Sequence, residues 1–84
     1  MFEVRISRQA IKDIASLPQE YARLVSQHID RLKEEPRPPG ARKLRNFTAV
    51  YRLRVGVYRI LYEIDDKAGI VTVYRVKHRR EAYR

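Results

Sequence analysis

The spacing of apolar residues along this chain changes once, near the middle of the sequence. Between residues 2 and 6 every second residue is apolar, which predicts a half-buried strand. Between residues 10 and 32 apolar residues recur every three or four positions, which predicts helix. Ser7 can cap a first helix, and Pro18 suits the first turn of a second. We therefore expect two antiparallel helices joined by a tight corner.

The second half of the chain has the two-residue period of strands. The cluster PRPPG at residues 36–40 ends the helical pattern. Strands are predicted at residues 50–55, 58–64 and 70–76, and the short loops between them favour antiparallel hairpins. We predict one α+β domain over residues 1–84, in the order β-α-α-β-β-β. The helical hairpin should pack on one face of a curved antiparallel sheet.

Positive charge is concentrated in the strand half of the chain. Residues 1–41 hold seven Lys and Arg against six Asp and Glu, whereas residues 42–84 hold twelve against four. The net charge of the whole chain is +9. A one-sided positive field on a folded surface attracts a polyanion, so nucleic acid or an acidic protein is the expected partner.

Composition excludes several other classes of protein. The chain is 44% hydrophobic, which argues against disorder, and the absence of cysteine excludes disulfides and Cys-ligated metal sites. No apolar run approaches the ~20 residues of a membrane span, so we expect a cytoplasmic protein without a membrane partner. No His, Asp or Glu spacing is typical of a metal site, and neither a metal nor a cofactor is expected.

Strand alternation predicts where the central arginines point. If the apolar residues of strand 50–55 face the helices, Arg52 and Arg54 lie on the open face of the sheet. Arg59 follows the turn and can join them in one basic patch. The tail after residue 76 adds further basic residues and a tyrosine suited to base stacking.

Two segments of this half resemble a known toxin family. Residues 51–65, YRLRVGVYRILYEID, resemble the central signature of RelE/ParE-superfamily toxins, and residues 76–84, VKHRREAYR, resemble their C-terminal element. Chain length and element order are similar as well. The resemblance implies a RelE-like fold and the toxin of a type II toxin–antitoxin system. Its RelE branch implies a ribosome-dependent endoribonuclease (an mRNA interferase) that cuts mRNA in the A site and is neutralised by a cognate RelB-like antitoxin.

The resemblance also suggests roles for individual residues. Arg59 matches the family's most consistent arginine and is the expected clamp on the transition state. Arg52 and Arg54 match two basic positions that are lysines in the best-known members. Tyr83 matches a terminal tyrosine that stacks on or orients the substrate nucleotide. Contacts with RNA or the ribosome are expected from the remaining basic residues Lys43, Arg45, Lys77, Arg79 and Arg80.

Replacement of the lysines raises the question of which group moves protons. A guanidinium is always charged and cannot readily act as a general base. His78 is the tail residue whose side-chain type titrates near neutrality. We therefore expect His78 to exchange protons while Arg52, Arg54 and Arg59 hold the phosphate, with Glu63 as a weaker candidate base.

Two other functions remain open on the sequence alone. A ParE-type toxin would inhibit DNA gyrase through protein contacts without nuclease activity, and it would share the same fold. A non-catalytic module would act with its antitoxin as a repressor, binding operator DNA only as the toxin–antitoxin complex. The basic tail with His78 and Tyr83 favours RNA cleavage over both.

Overall fold

A computed structural model describes residues 1–44 and 49–82 of the chain. Its elements are β1 (Glu3–Ile6), α1 (Arg8–Ala15), α2 (Gln19–Arg31), β2 (Ala41–Lys43), β3 (Val50–Val55), β4 (Tyr58–Asp65) and β5 (Ile70–His78). The α+β class, the helical pair and the three long strands are confirmed at nearly the expected positions.

The first helix begins where the sequence predicts. The Ser7 Oγ accepts a hydrogen bond from the Ala10 amide at 3.0 Å, which satisfies one of the free donors of the first turn. The same hydroxyl donates to the Tyr74 carbonyl oxygen at 3.0 Å. Pro18 occupies the N-cap of α2 rather than its first turn. Ser7 therefore fixes the start of α1 to the middle of β5.

The sheet differs from the expected antiparallel one in two respects. It has five strands in the order β1-β5-β4-β3-β2, and β1 runs parallel to β5, so the sheet is mixed. The short strand β2 was not predicted and pairs antiparallel with β3. Alternation shows which face of a strand is buried but not which strand lies beside it, and three residues are too few to show a period.

The core lies between the helical pair and one face of the sheet. Ala10 of α1, Val25 of α2 and Leu32 at the C-cap of α2 are fully buried. They belong to one cluster with the alternate strand residues Leu53, Val55, Ile60, Tyr62, Ile64, Val71, Val73 and Val76. Each large side chain buried in this way stabilises the fold by about 1.5–3 kcal/mol. Since the helices cover this face, the residues between these positions are directed to the opposite one.

Neither of the two described helices has the length and apolar character needed to cross a bilayer.

Candidate nucleic-acid interface

The arginines of β3 and β4 meet on the face of the sheet that the helices leave open. Leu53 and Val55 are buried in the core, so Arg52 and Arg54 point away from it. In the sheet register Arg54 lies directly opposite Arg59. A two-residue turn brings these strands together, and Gly56 adopts φ +58° at its first central position, as type II′ turns require.

These side chains line a small cavity, which we call the arginine pocket. Its volume is about 110 Å³, and it is lined by Gly40, Arg42, Arg52, Arg54 and Arg59. Four of these five residues are arginines, and no carboxylate belongs to the described lining. Guanidinium groups are planar, permanently charged and able to bind phosphate oxygens in pairs. The arginine pocket is therefore suited to a phosphate group.

Arg59 is the most enclosed member of the arginine pocket. The residue is only 8% exposed, and its Nη1 donates to the carbonyl oxygens of Gly56 at 3.1 Å and Tyr58 at 2.9 Å. The backbone of the β3–β4 turn thus fixes the direction of this guanidinium. A cation fixed in this way loses little conformational freedom when an anion binds, which strengthens the interaction.

Arg42 is a member of the arginine pocket that the sequence reasoning missed. It lies on β2, opposite Arg52 in the register. Sequence reasoning named Lys43 and Arg45 in this region instead. Lys43 is exposed, lies opposite Tyr51 and does not line the arginine pocket, but it shares a neighbouring cavity with Arg42 and Arg52. The available signal for Arg42 was the concentration of positive charge that begins at residue 42.

A β-bulge in β5 determines which tail residue joins the arginines. Leu61 of β4 lies opposite Arg75, whereas its neighbour Tyr62 lies opposite Val73, so Tyr74 is the extra residue. One extra residue exchanges the faces of everything that follows. As a result Lys77 lies opposite Arg59, on the open face.

The expected position of His78 beside the three arginines is wrong for this reason. His78 lies opposite Tyr58 on the helix side of the sheet, and their rings meet edge to face at 5.8 Å. Its Nδ1 accepts a hydrogen bond from the Arg80 amide at 3.2 Å. His78 lines a separate surface cavity together with Asp13 of α1.

The rest of the basic tail leaves the sheet. Arg79 and Arg80 are exposed in the turn after β5, where the Arg79 amide donates to the Val57 carbonyl oxygen at 2.7 Å. They lie near the end of β5 but do not line the arginine pocket. Arg45 and Tyr83 fall outside the described residues.

Asp13 holds the end of β5 that carries Lys77. Its carboxylate accepts from Arg75 Nε at 2.8 Å, from the Val76 amide at 2.9 Å and from the Gln9 side chain at 3.1 Å. Burial by itself would raise the pKa of Asp13, but these hydrogen bonds outweigh it, and the pKa lies below its usual value. Asp13 therefore binds a backbone amide on the edge of β5 in the segment beyond its pairing with β1.

Known toxins match this chain over nearly its whole length. Residues 4–83 match the family described as the ParE toxin of the type II toxin–antitoxin system parDE. Toxin RelG of Mycobacterium tuberculosis is 34% identical over 84 residues, which cover 99% of this chain and 97% of the relative. The putative toxin RelE1 of Methanocaldococcus jannaschii is 30% identical over 88 residues, covering 99% of this chain and 96% of the relative.

A solved structure supports the same relationship. The crystal structure of an archaeal RelE–RelB complex from Pyrococcus horikoshii contains a chain that superposes with a TM-score of 0.84 and 30% identity. The match covers 96% of this chain and 98% of that one. With the family match across nearly its whole length, the chain belongs to the RelE/ParE superfamily of toxins from type II toxin–antitoxin systems.

Proposed function

We propose that this chain is a single-domain, ribosome-dependent endoribonuclease that cleaves mRNA in the A site without a metal ion. It acts in the cytoplasm and is neutralised by a cognate RelB-like antitoxin. The arginine pocket is the observation that carries the proposal, because four guanidinium groups on a rigid sheet suit the phosphate of an RNA backbone. The names of the two relatives, RelG and RelE1, support the RelE branch.

The proposed reaction uses a nucleophile that RNA itself supplies. The ribose 2′-oxygen attacks the adjacent phosphorus, a new P–O bond forms, and the bond from phosphorus to the 5′-oxygen of the next nucleotide breaks. The 2′-hydroxyl must lose a proton, and the departing 5′-oxygen must gain one. The enzyme has to align the attack and stabilise the charge that develops on the phosphorane.

Arg59 supplies the charge stabilisation in this proposal. Its guanidinium is held by two carbonyl oxygens of the β3–β4 turn, so it needs little rearrangement as charge develops. Arg54 lies opposite Arg59, and Arg42 lies opposite Arg52 across the strand pair. Together these residues can contact more than one phosphate oxygen.

Lys77 replaces His78 as the proposed proton-transfer group. It lies opposite Arg59 on the open face, while His78 lies on the other side of the sheet. An amine exchanges protons far more readily than a guanidinium, so Lys77 is the better candidate among the neighbours of Arg59. The ribosome can supply the second proton-transfer group.

The proposed antitoxin is acidic and folds on the toxin surface. A net charge of +9 favours an acidic partner, and the Pyrococcus horikoshii structure is a complex of RelE with RelB. Carboxylates of the antitoxin would meet Arg52, Arg54 or Arg59 and prevent RNA from entering. Operator DNA would be bound only by the toxin–antitoxin complex.

Primer extension on a defined mRNA, with and without programmed ribosomes, tests the proposal. Wild type should cut only on ribosomes, and Arg59→Ala should lose at least ~100-fold in rate, the usual loss on removing one transition-state donor. Arg23→Ala removes the same charge from an exposed position on α2 and should keep nearly full activity. Equal rates for the two variants would remove Arg59 from the site.

A second pair of variants tests the proton-transfer assignment. Lys77→Ala should lower the cleavage rate by about 100-fold, within the range of general acid–base catalysis. His78→Ala should stay within a few-fold of wild type. The opposite order would restore His78 to the role first expected.

Inhibition of DNA gyrase is the alternative function. The family description names ParE, and this is the observation that favours it. A supercoiling assay with purified gyrase distinguishes the two functions. Loss of supercoiling without any cut in mRNA, on or off the ribosome, would replace the nuclease proposal.

A further inference from the structure

The loop between α2 and β2 is tied to the rest of the molecule by Arg37. Its Nη1 and Nη2 donate to the two carboxylate oxygens of Asp66 at 3.2 and 2.8 Å. Its Nε donates to the Tyr51 hydroxyl at 3.0 Å, and its guanidinium carbon lies 5.3 Å from the centre of that ring. The side chain therefore connects this loop to β3 and to the β4–β5 turn.

Pro36, immediately before Arg37, is anchored as well. The Tyr62 hydroxyl donates to the Pro36 carbonyl oxygen at 2.8 Å, and Tyr62 is fully buried. Burial raises the pKa of Tyr62 to about 12, which keeps the hydroxyl protonated as a donor. The Tyr62 ring stacks on Tyr51 at 5.8 Å with 23° between the planes.

The turn that carries Asp66 is itself held in place. The Asp65 Oδ1 accepts a hydrogen bond from the Ala68 amide at 3.0 Å, and the Asp65 carbonyl oxygen accepts from the Gly69 amide at 2.9 Å. Asp66 is thus a fixed point against which the loop can be positioned.

The anchored loop leads directly to the wall of the arginine pocket. The Ala41 amide donates to the Pro38 carbonyl oxygen at 3.0 Å, and β2 begins there. Gly40 and Arg42, on either side of Ala41, both line the arginine pocket. Since β2 is a three-residue edge strand, its own pairing with β3 holds Arg42 only weakly.

We propose that Asp66 and Arg37 form a positioning clamp that sets where Gly40 and Arg42 lie in the arginine pocket. The inference rests on the proposed function in that the pocket binds a phosphate of RNA. Asp66 does not line the pocket and acts on it only through Arg37 and the loop. Both side chains of the ion pair are exposed, so its contribution to global stability is small, and position is the property to measure.

Asp66→Asn should change anion binding in opposite directions, depending on whether Asp66 acts only through its charge or through the clamp. Removing a negative charge from a basic protein strengthens the binding of an anion by electrostatics alone. Loss of the clamp instead displaces Arg42 and weakens binding. Asp30→Asn is the control for charge, because Asp30 also forms an exposed ion pair, with Lys33 three residues further along the chain.

The probe is a single-stranded RNA oligonucleotide with a 2′-O-methyl group on every ribose, which leaves no 2′-hydroxyl to attack and so cannot be cleaved. Its affinity is measured at one fixed salt concentration for wild type, Asp66→Asn, Asp66→Glu and Asp30→Asn. Amide hydrogen exchange of Ala41 and Leu44 is recorded on the same free proteins, since the Leu44 amide donates to the Val50 carbonyl oxygen and reports on β2.

Asp66→Asn should bind the oligonucleotide roughly threefold more weakly than Asp30→Asn, as expected for an exposed ion pair, and should speed exchange at Ala41 and Leu44. Asp66→Glu should restore most of both properties. The clamp is refuted if Asp66→Asn binds as tightly as Asp30→Asn, or if exchange in β2 is unchanged. If wild type binds no free oligonucleotide, the exchange data decide whether the clamp orders β2, and primer extension on programmed ribosomes decides the nuclease proposal separately.

Discussion

Asp13 gives the sharpest stability prediction because its carboxylate accepts a hydrogen bond from the backbone amide of a buried residue, Val76. Asp13→Ala removes the acceptor of the Val76 amide, and Val76 is only 4% exposed. An unsatisfied donor in such a position costs about 1–3 kcal/mol. Arg75 is 37% exposed at its side chain and can return to water, so its lost ion pair adds little. We expect a total loss of about 2–3 kcal/mol in the free energy of unfolding.

Urea denaturation measures this loss directly. With a slope of about 1 kcal/mol/M for a small domain, the midpoint should fall by about 2–3 M at an unchanged slope. Asp13→Asn keeps one acceptor oxygen and should lose roughly half as much. Asp30→Ala, which breaks an exposed helical ion pair, should lose less than ~0.5 kcal/mol.

The same variant carries a pH prediction. The folded-state pKa of Asp13 is lowered. Its contribution to the free energy of unfolding is therefore fully present above the unfolded-state pKa of ~3.9 and is lost as pH falls through the folded-state pKa. The difference between wild type and Asp13→Ala should therefore be constant from pH 7 to about 5 and shrink below about 4. If Asp13→Ala and Asp30→Ala differ by less than ~0.5 kcal/mol at pH 7, the amide at Val76 is not held as described.

Two further predictions use matched variants in the same denaturation assay. Gly56→Ala should lower the free energy of unfolding by about 1–2 kcal/mol more than Gly69→Ala. Both glycines have positive φ, but only a Cβ at Gly56 would meet the Tyr21 ring, at 3.2 Å. Equal losses would show that the ring moves aside. Tyr62→Phe should lose about 1 kcal/mol by leaving the Pro36 carbonyl oxygen without its donor. Tyr74→Phe is its control, since the Tyr74 hydroxyl has no hydrogen-bond partner among the described residues, and a loss as large as that of Tyr62→Phe would contradict the assignment.

Local patterns predicted most of the fold because they reflect local physics. Ser7 caps α1, and the period of two in β3 placed Arg52 and Arg54 on the open face, as the structure confirms. The parallel pairing of β1 with β5 could not be predicted, because it joins residues that are far apart in sequence and leaves no mark on the period of either strand.

The candidate site was predicted less completely than the fold. Arg42 enters the arginine pocket through a three-residue strand that shows no alternation. The Arg37–Asp66 ion pair joins two loops whose composition indicates only turns. His78 was chosen for its side-chain chemistry, which does not show the bulge that turns it to the helix side of the sheet.

The bulge at Tyr74 also affects how relatives of this chain should be aligned. Strict alternation counted forward from Val73 places Lys77 and His78 on the wrong faces unless Tyr74 is left out of the count. A homologue with one residue fewer between Val73 and Val76 would pair without the bulge, and its counterparts of Lys77 and His78 would keep the faces they have here. An ungapped alignment with that homologue would instead match Lys77 with a residue that lies on the opposite face. In this strand, the placement of the gap therefore decides which residues are compared with Lys77 and His78.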